Sequence, residues 1–250
     1  MIVAVKCRTL ELSPACFMVP ETGAQFQDWT PHIPYLGFLI HHLNPKQFVE
    51  VGVLDGNSYF AACATIKLLG IPCACYAVDP WEGEFVRGSK SGAYSGAFLE
   101  SVRKRNEKYP FSWLMRKRSL DAAPRFADGS IDLLHIDASH AVEDVRADFN
   151  AWLPKVSKHG VILMHDALNA DSGVPDFLRS VSSRDFNIYK NDFGFGLATI
   201  LKKDGNYPEQ ISQLVQASPE EVNFMDAIFE SLGAMAKHAQ RTVIRENEEK

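Results

Sequence analysis

Basic residues are too few in this 250-residue chain to balance the acidic ones: 26 Lys and Arg stand against 31 Asp and Glu, a formal charge of −5. That balance leaves no cationic footprint for a phosphate backbone and turns attention from nucleic acid toward small molecules. No apolar run is long enough to span a bilayer, because the longest, Tyr59 to Val78, is cut by Lys67 and by Gly70-Ile71-Pro72 into a helix and a strand. Cysteine is scarce as well. The five present form an odd set without paired C-x-x-C spacing, which excludes zinc knuckles and a disulfide framework and favours reduced thiols in a cytoplasmic protein. Cys73 and Cys75, two apart in a strand, read as core thiols. The opening MIVAVKCRTLELSPACF has neither an apolar core region nor a small-residue cleavage site, so no signal peptide is expected. Internal repeats and low-complexity blocks are also missing.

What is there is an alternation of short apolar runs with helix-length segments, the pattern of βαβ units. Strands are expected at Phe48 to Val51, Cys75 to Val78, Phe111 to Met115, Ile131 to Ile136, Val161 to Met164, Phe186 to Lys190 and Gly196 to Lys202. The fourth and fifth are continuously apolar, as buried parallel strands are, and the last two form an antiparallel pair closing the sheet. Thr30-Pro31 reads as the cap of a first helix bearing Ile33, Leu36, Leu39 and Ile40. Further helices are expected from Ser58 to Leu69, Phe98 to Lys108, Glu143 to Trp152 and Asp171 to Val181. The Gly/Ser-rich stretch Gly88 to Gly96 has the composition of a mobile lid or a plain surface loop. Beyond Gly205, Ser218-Pro219-Glu220-Glu221 opens a long amphipathic helix with a stripe of Val222, Met225, Phe229, Leu232, Met235 and Ala239. That stripe either covers its own domain or pairs with a second copy. The organisation is therefore an extension over 1–29, an α/β domain over 30–204 and a helical extension over 205–250.

The first strand ends in "VEVGVLDGNS", residues 49–58. A dinucleotide fingerprint needs G-x-G-x-x-G, whereas Gly52-Val53-Leu54-Asp55-Gly56 puts side chains where the pyrophosphate must approach. A phosphate loop fails too, since no Gly-Lys-Ser/Thr follows. An acid at a strand tip before a tight turn repels phosphate and suits a cation, such as a ligand carrying an amino group and a sulfonium.

These residues resemble the class I S-adenosylmethionine-dependent methyltransferases: "FVEVGVLDGNSYF" is similar to their first motif, "CYAVDPW" to the second-strand acid, and "IDLLHIDASHAVEDVRADFNAWLPKVSKHGVILMHD" to the fourth- and fifth-strand region. The last resembles a subgroup found with sugar-modifying proteins. The likeness covers roughly Thr30 to Lys202. It implies a Rossmann-like, doubly wound, mostly parallel seven-stranded sheet with a C-terminal antiparallel strand, and S-adenosylmethionine as cofactor. Glu50, Gly52 and Gly56 would line its methionine part with Ser58 at the helix start, Asp79 would accept the ribose hydroxyls, and Ser119 and Leu120 would meet adenine. Trp81 would stack near the cofactor or fill the interface.

Asp137 and Asp166 end strands expected to be neighbours, so their carboxylates share a proton or a cation. Related sugar O-methyltransferases hold a divalent metal at such acids, which would be Mg2+ or Mn2+ on Asp137 and Asp166 here. Ser139 and His165 stand where those relatives carry further aspartates, which removes two hard ligands. His140, three residues beyond Asp137, is then the candidate general base. His135 is expected to face the core, and His41 and His42 to serve their helix dipole. The resulting expectation is O-methylation of a small polar acceptor such as a sugar or glycan precursor. A non-catalytic S-adenosylmethionine-binding scaffold and a nicotinamide-dependent oxidoreductase are the alternatives, and self-association through the last helix is the expected partnership.

Overall fold

The computed structural model describes residues 10–19, 24, 27–82 and 95–248, the side chains of 95–97 and 243–248 excepted. Seven strands, β1 (Gln47–Val51), β2 (Ala74–Asp79), β3 (Ser112–Arg116), β4 (Ile131–Ile136), β5 (Val156–His165), β6 (Phe186–Asn191) and β7 (Leu197–Lys202), form one sheet in the order β3-β2-β1-β4-β5-β7-β6. Strands β1 to β5 run parallel and β7 is antiparallel to both of its neighbours. This is the doubly wound sheet that the strand pattern requires.

The helices are α1 (Ile33–Leu43), α2 (Asn57–Leu69), α3 (Ser95–Asn106), α4 (Ser119–Ala122), α5 (Val142–Trp152), α6 (Val174–Ser180), α7 (Glu209–Gln216) and α8 (Pro219–Glu248). They divide the core into two. One cluster seats Leu36 and Leu39 of α1, Phe60 of α2, Val102 of α3 and Phe229 of α8 against Phe48, Leu133 and Leu163 of the sheet. The other seats Phe149 and Trp152 of α5 and Phe177 of α6 against Val49, Leu134 and Ile162. Alternate residues of one strand thus serve opposite faces.

Several expectations shift in detail. The α-helix begins three residues after Thr30, behind a short 3-10 turn (Thr30–His32) with Pro34 in its first turn, because Thr30 Oγ1 is engaged elsewhere, donating to Gln240 Oε1 of α8 at 3.1 Å. Strand β5 starts five residues before Val161, its first half being too polar (Ser157, Lys158, His159) to read as a buried run. The helix expected from Asp171 begins only at Val174. Helix α7 is additional, carrying only Ile211 and Leu214 as buried anchors. Most of the expected lid, Gly88 to Gly96, lies outside the described residues.

Helix α8 starts as expected: the Ser218 N–H donates to Glu221 Oε2 at 2.8 Å and the Glu221 N–H to Ser218 Oγ at 3.3 Å, a reciprocal capping box. Its stripe lies on its own domain. Phe229 is fully buried against Tyr35 and Phe38, a Cβ on Gly233 would sit 2.3 Å from the Pro31 carbonyl oxygen, and Tyr189 donates to Asp226 at 2.5 Å. Met235, assigned to the stripe above, is instead 64% exposed, and Ala236 takes the buried position. No described helix is long and apolar enough to cross a membrane.

Candidate active site

Every acid singled out above stands at the carboxyl end of a parallel strand: Glu50 near the tip of β1, Asp79 at that of β2, Asp137 just past β4 and Asp166 just past β5. Ligands of open α/β sheets bind at this edge. The first turn is glycine by necessity. Gly52 has φ +87°, and a Cβ there would meet the Asp137 carbonyl oxygen at 2.2 Å and the Ala138 Cα at 2.6 Å. The missing side chain lets the β1 turn and the β4 loop touch. Gly56, at φ +80°, caps α2. Leu54, Trp81 and Asp166 also have positive φ, so left-handed non-glycine residues gather at these strand tips, where backbone strain is characteristic of functional sites.

Strand register explains the most buried acid. Glu50 lies opposite His135 across β1 and β4, so both side chains point to the same face. Glu50 is fully buried, with Ser58 donating to Oε1 at 2.7 Å and His135 Nδ1 lying 2.9 Å from Oε2. Burial pushes its carboxyl upward, opposed by His135 and Ser58. Trp29, placed by the sequence in a separate extension, is buried too, and its indole donates to His135 Nε2 at 3.2 Å.

Asp79 holds the turn shut. Oδ2 accepts the Val53 and Leu54 N–H groups, both at 2.9 Å, and Oδ1 accepts that of Trp81 at 2.5 Å. A carboxylate offers about four acceptor positions, so three N–H donors leave about one. Burial raises its pKa, opposed by these three N–H groups. Trp81, one of whose expected roles was stacking on the cofactor, is only 3% exposed and donates its indole N–H to the Leu54 carbonyl at 2.9 Å, so it fills the interface beneath the turn. Ser119 Oγ accepts the Trp152 indole N–H at 2.9 Å and ties α4 to α5, while Leu120 is 52% exposed.

Sequence reasoning missed Arg105. Within a run of three basic residues on α3 it is buried, its guanidinium lies 4.4 Å from the Phe60 ring, and it donates to the carbonyls of Asp55 at 2.7 Å and Gly56 at 3.3 Å. A surface charge and a turn clamp look the same in such a run.

At the β4 and β5 tips three ligand atoms, one each from Asp137, His140 and Asp166, lie within 4.8 Å of one another. His140 Nε2 is 2.7 Å from Asp166 Oδ2, and Asn169 donates to Oδ1 at 3.1 Å. The His140 loop is pinned by the Gly173 N–H donating to the His140 carbonyl at 2.7 Å. Ser139 turns away to donate to Asp144 of α5 at 2.8 Å. His165 Nδ1 is 3.6 Å from both Asp137 and Asp166. For Asp137, burial favours the neutral acid, but the neighbouring imidazoles, His165 above all, outweigh it and hold the carboxyl at about 2. Burial likewise favours a neutral His165, and Asp137 and Asp166 overcome it to raise that ring. Behind this group, His32 is fully buried with neither ring nitrogen partnered among the described residues, and burial drives its pKa well down. The tips thus present an ionised acid, a half-exposed imidazole backed by a second acid, and a third, fully buried carboxylate.

The sheet order and the antiparallel β7 are those of the Rossmann-like methyltransferase fold. Residues 49–167 match the family model described as a methyltransferase domain. Over 153 residues, 59% of the chain, it is 38% identical to the uncharacterized protein y4gI of Sinorhizobium fredii, of which it spans only 16%. The structure is similar to the O-methyltransferase TomG of Streptomyces achromogenes in complex with SAM (TM-score 0.53, 17% identity, 72% of this chain and 82% of that one). It is also similar to the SAH-bound methyltransferase PaMTH1 of Podospora anserina (TM-score 0.53, 14% identity, 68% and 77%).

Proposed function

We propose that this chain is an S-adenosylmethionine-dependent O-methyltransferase whose acceptor is a small molecule with a hydroxyl group. One observation carries the reading: a turn backed by the buried carboxylate of Glu50, a strand-tip acid one strand over, and the Asp137–His140–Asp166 group all face one edge of a sheet with methyltransferase order. The cofactor, when bound, supplies a methyl group on a sulfonium. The chain supplies the rest. Glu50 provides negative charge beneath the turn for that cation, and the remaining acceptor position of Asp79 takes a ribose hydroxyl. Exposed Leu120 offers an apolar face to adenine. With His140 donating from Nε2 to Asp166, its basic lone pair is on Nδ1, and that nitrogen takes the acceptor's proton as the hydroxyl oxygen is methylated.

Two carboxylates and an imidazole clustered this closely also fit a divalent cation, with His140 as a ligand beyond the two acids that the sequence suggested. Such an ion, when bound, acidifies the acceptor hydroxyl. His140 then serves as ligand rather than base, and loss of activity in chelator distinguishes the two roles. A sugar is the acceptor class we favour. Phe195, 46% exposed with its ring 6.4 Å from that of His165, offers a flat face on which the C–H side of a pyranose stacks.

The experiment is incubation with methyl-labelled S-adenosylmethionine and a panel of sugars, nucleotide sugars and phenols, with and without Mn2+, scored by label transfer and by the demethylated product. Transfer to a sugar hydroxyl is expected. Transfer to a phenol alone removes the sugar reading, and binding without transfer to any hydroxyl leaves the scaffold alternative in place of the enzyme.

A further inference from the structure

We propose that Trp29, from the segment ahead of α1, is a positioning residue for the buried acid at the base of the first turn: its indole N–H fixes the tautomer of His135, which in turn orients Glu50. The cofactor link rests on the function proposed above; the tautomer assignment rests on geometry alone.

An indole nitrogen only donates. Trp29 Nε1 is 3.2 Å from His135 Nε2, so that ring nitrogen must present its lone pair. The proton of a neutral imidazole is then on Nδ1, which lies 2.9 Å from Glu50 Oε2 and donates to it. The other two states of the ring are disfavoured. A proton on Nε2 alone would oppose two N–H groups across 3.2 Å and leave an Nδ1 lone pair against a carboxylate. The imidazolium repeats the first conflict. Ser58 donates to Oε1, so both oxygens of Glu50 accept from fixed donors in a chain running Trp29, His135, Glu50, Ser58. All four residues are buried, with at most 6% of any of them exposed. No water is needed to complete the chain, and buried polar networks of this kind are orienting only when every member is satisfied.

The consequence is functional. Glu50 is two residues from Gly52, at the base of the turn that meets the cofactor, and burial on its own favours its neutral form. The donors on its two oxygens oppose that tendency and fix the orientation of the group. Trp29 is also packed edge-on against the rings of His135 and His32, at 5.1 and 5.5 Å, so ring packing and hydrogen bonding hold it in one orientation. Other ionisable groups around these residues are Asp137 beyond β4, which raises the pKa of Glu50, Tyr59 on α2, whose own pKa Glu50 raises, and His32 and His165, whose rings lie 5.5 and 6.2 Å from that of Trp29.

The test is Trp29→Phe, which keeps an aromatic ring in place and removes the donor, read in two ways. In 15N spectra of histidine-labelled wild-type protein, His135 is expected to show a protonated Nδ1 and an unprotonated Nε2; in Trp29→Phe, with no donor facing it, Nε2 is expected to gain protonation while Nδ1 stays protonated against Glu50. Calorimetric titration with S-adenosylmethionine is expected to show about fivefold weaker binding, the effect of one lost hydrogen bond. Glu50→Gln, similar in shape but uncharged, is the second variant and is expected to weaken binding by at least as much. A wild-type His135 protonated on Nε2 overturns the tautomer assignment. A change in Nε2 protonation without loss of affinity, or a Glu50→Gln variant that binds as wild type, overturns the link to the cofactor. Absence of S-adenosylmethionine binding by the wild type overturns the proposed function instead, and leaves the spectra to decide the role of Trp29.

Discussion

Replacing Gly52 by alanine tests how the two halves of the site are joined. The residue has φ +87°, outside the range in which L side chains are comfortable, and adopting a left-handed conformation costs about 1–2 kcal/mol. The added methyl would lie 2.2 Å from the Asp137 carbonyl oxygen, 2.5 Å from its carbon and 2.6 Å from the Ala138 Cα, all backbone atoms. Relief therefore needs the β1 turn and the β4 loop to separate by about 1 Å, which strains bonds such as Asp137 N–H to the Val51 carbonyl at 2.9 Å. Strain and weakened hydrogen bonding together amount to roughly 3 kcal/mol, or a fall of about 6–12 °C in melting temperature for a chain of this size. The same separation moves the Asp137 group relative to the cofactor turn, and misplacement of about 1 Å costs on the order of 100-fold in rate. Urea unfolding measures the first effect and initial rates of methyl transfer the second. A Gly52→Ala variant with a wild-type unfolding midpoint would refute the close approach of the two loops, and one that was destabilised but fully active would refute their joint role in the reaction.

Asp137→Asn is expected to cost about 2 kcal/mol near pH 6, from the drop of the carboxyl from its usual 3.8 to about 2. Because the folded-state value is the lower one, this stabilisation is present above about pH 4 and fades as pH falls toward 2. The raised His165 adds stability that is present below its ordinary 6.5 and is lost as pH rises through its folded value, so denaturant titrations should show the widest gap between wild type and variant from about pH 4 to 6.5. Phe229→Ala on α8 should lose about 3–5 kcal/mol because the ring is fully buried against Tyr35 and Phe38, whereas Met235→Ser should be nearly neutral; the reverse order would mean that the long helix docks elsewhere. If Asp137, His140 and Asp166 take a divalent ion, Mn2+ at about 100 times its dissociation constant should stabilise the protein by about 2.7 kcal/mol in thermal melts, and Asp166→Asn should abolish the effect. A melting curve that Mn2+ leaves unchanged removes the cation reading.

The sheet was legible because its strands are short, apolar and separated by helices with their own three- to four-residue stripe, and the acids were legible because each closes such a run. Gly52 and Gly56 were legible as a turn that excludes a dinucleotide, but not as the contact with the Asp137 loop, which depends on β4 lying beside β1 rather than on local spacing. The partners of the acids were hidden for the same reason. His135 was expected to face the core, yet its bond to Glu50 arises only from register across two strands 85 residues apart in sequence. Arg105 and Trp29 lay inside segments classed as a charged helix and an N-terminal extension, and nothing local separates a clamp from a solvated charge. Met235 was misassigned because the i, i+3 pattern leaves a choice between adjacent helical positions that only the docking of α8 settles.

These strand tips are proposed to receive a cationic methyl donor. Calorimetric titration of the wild-type protein with S-adenosylmethionine, its demethylated product and NAD tests this most directly. Saturable binding of the first two at one site per chain, and no binding of NAD, is expected. Tight binding of NAD, or no binding of either adenosyl compound to a folded sample, would contradict it.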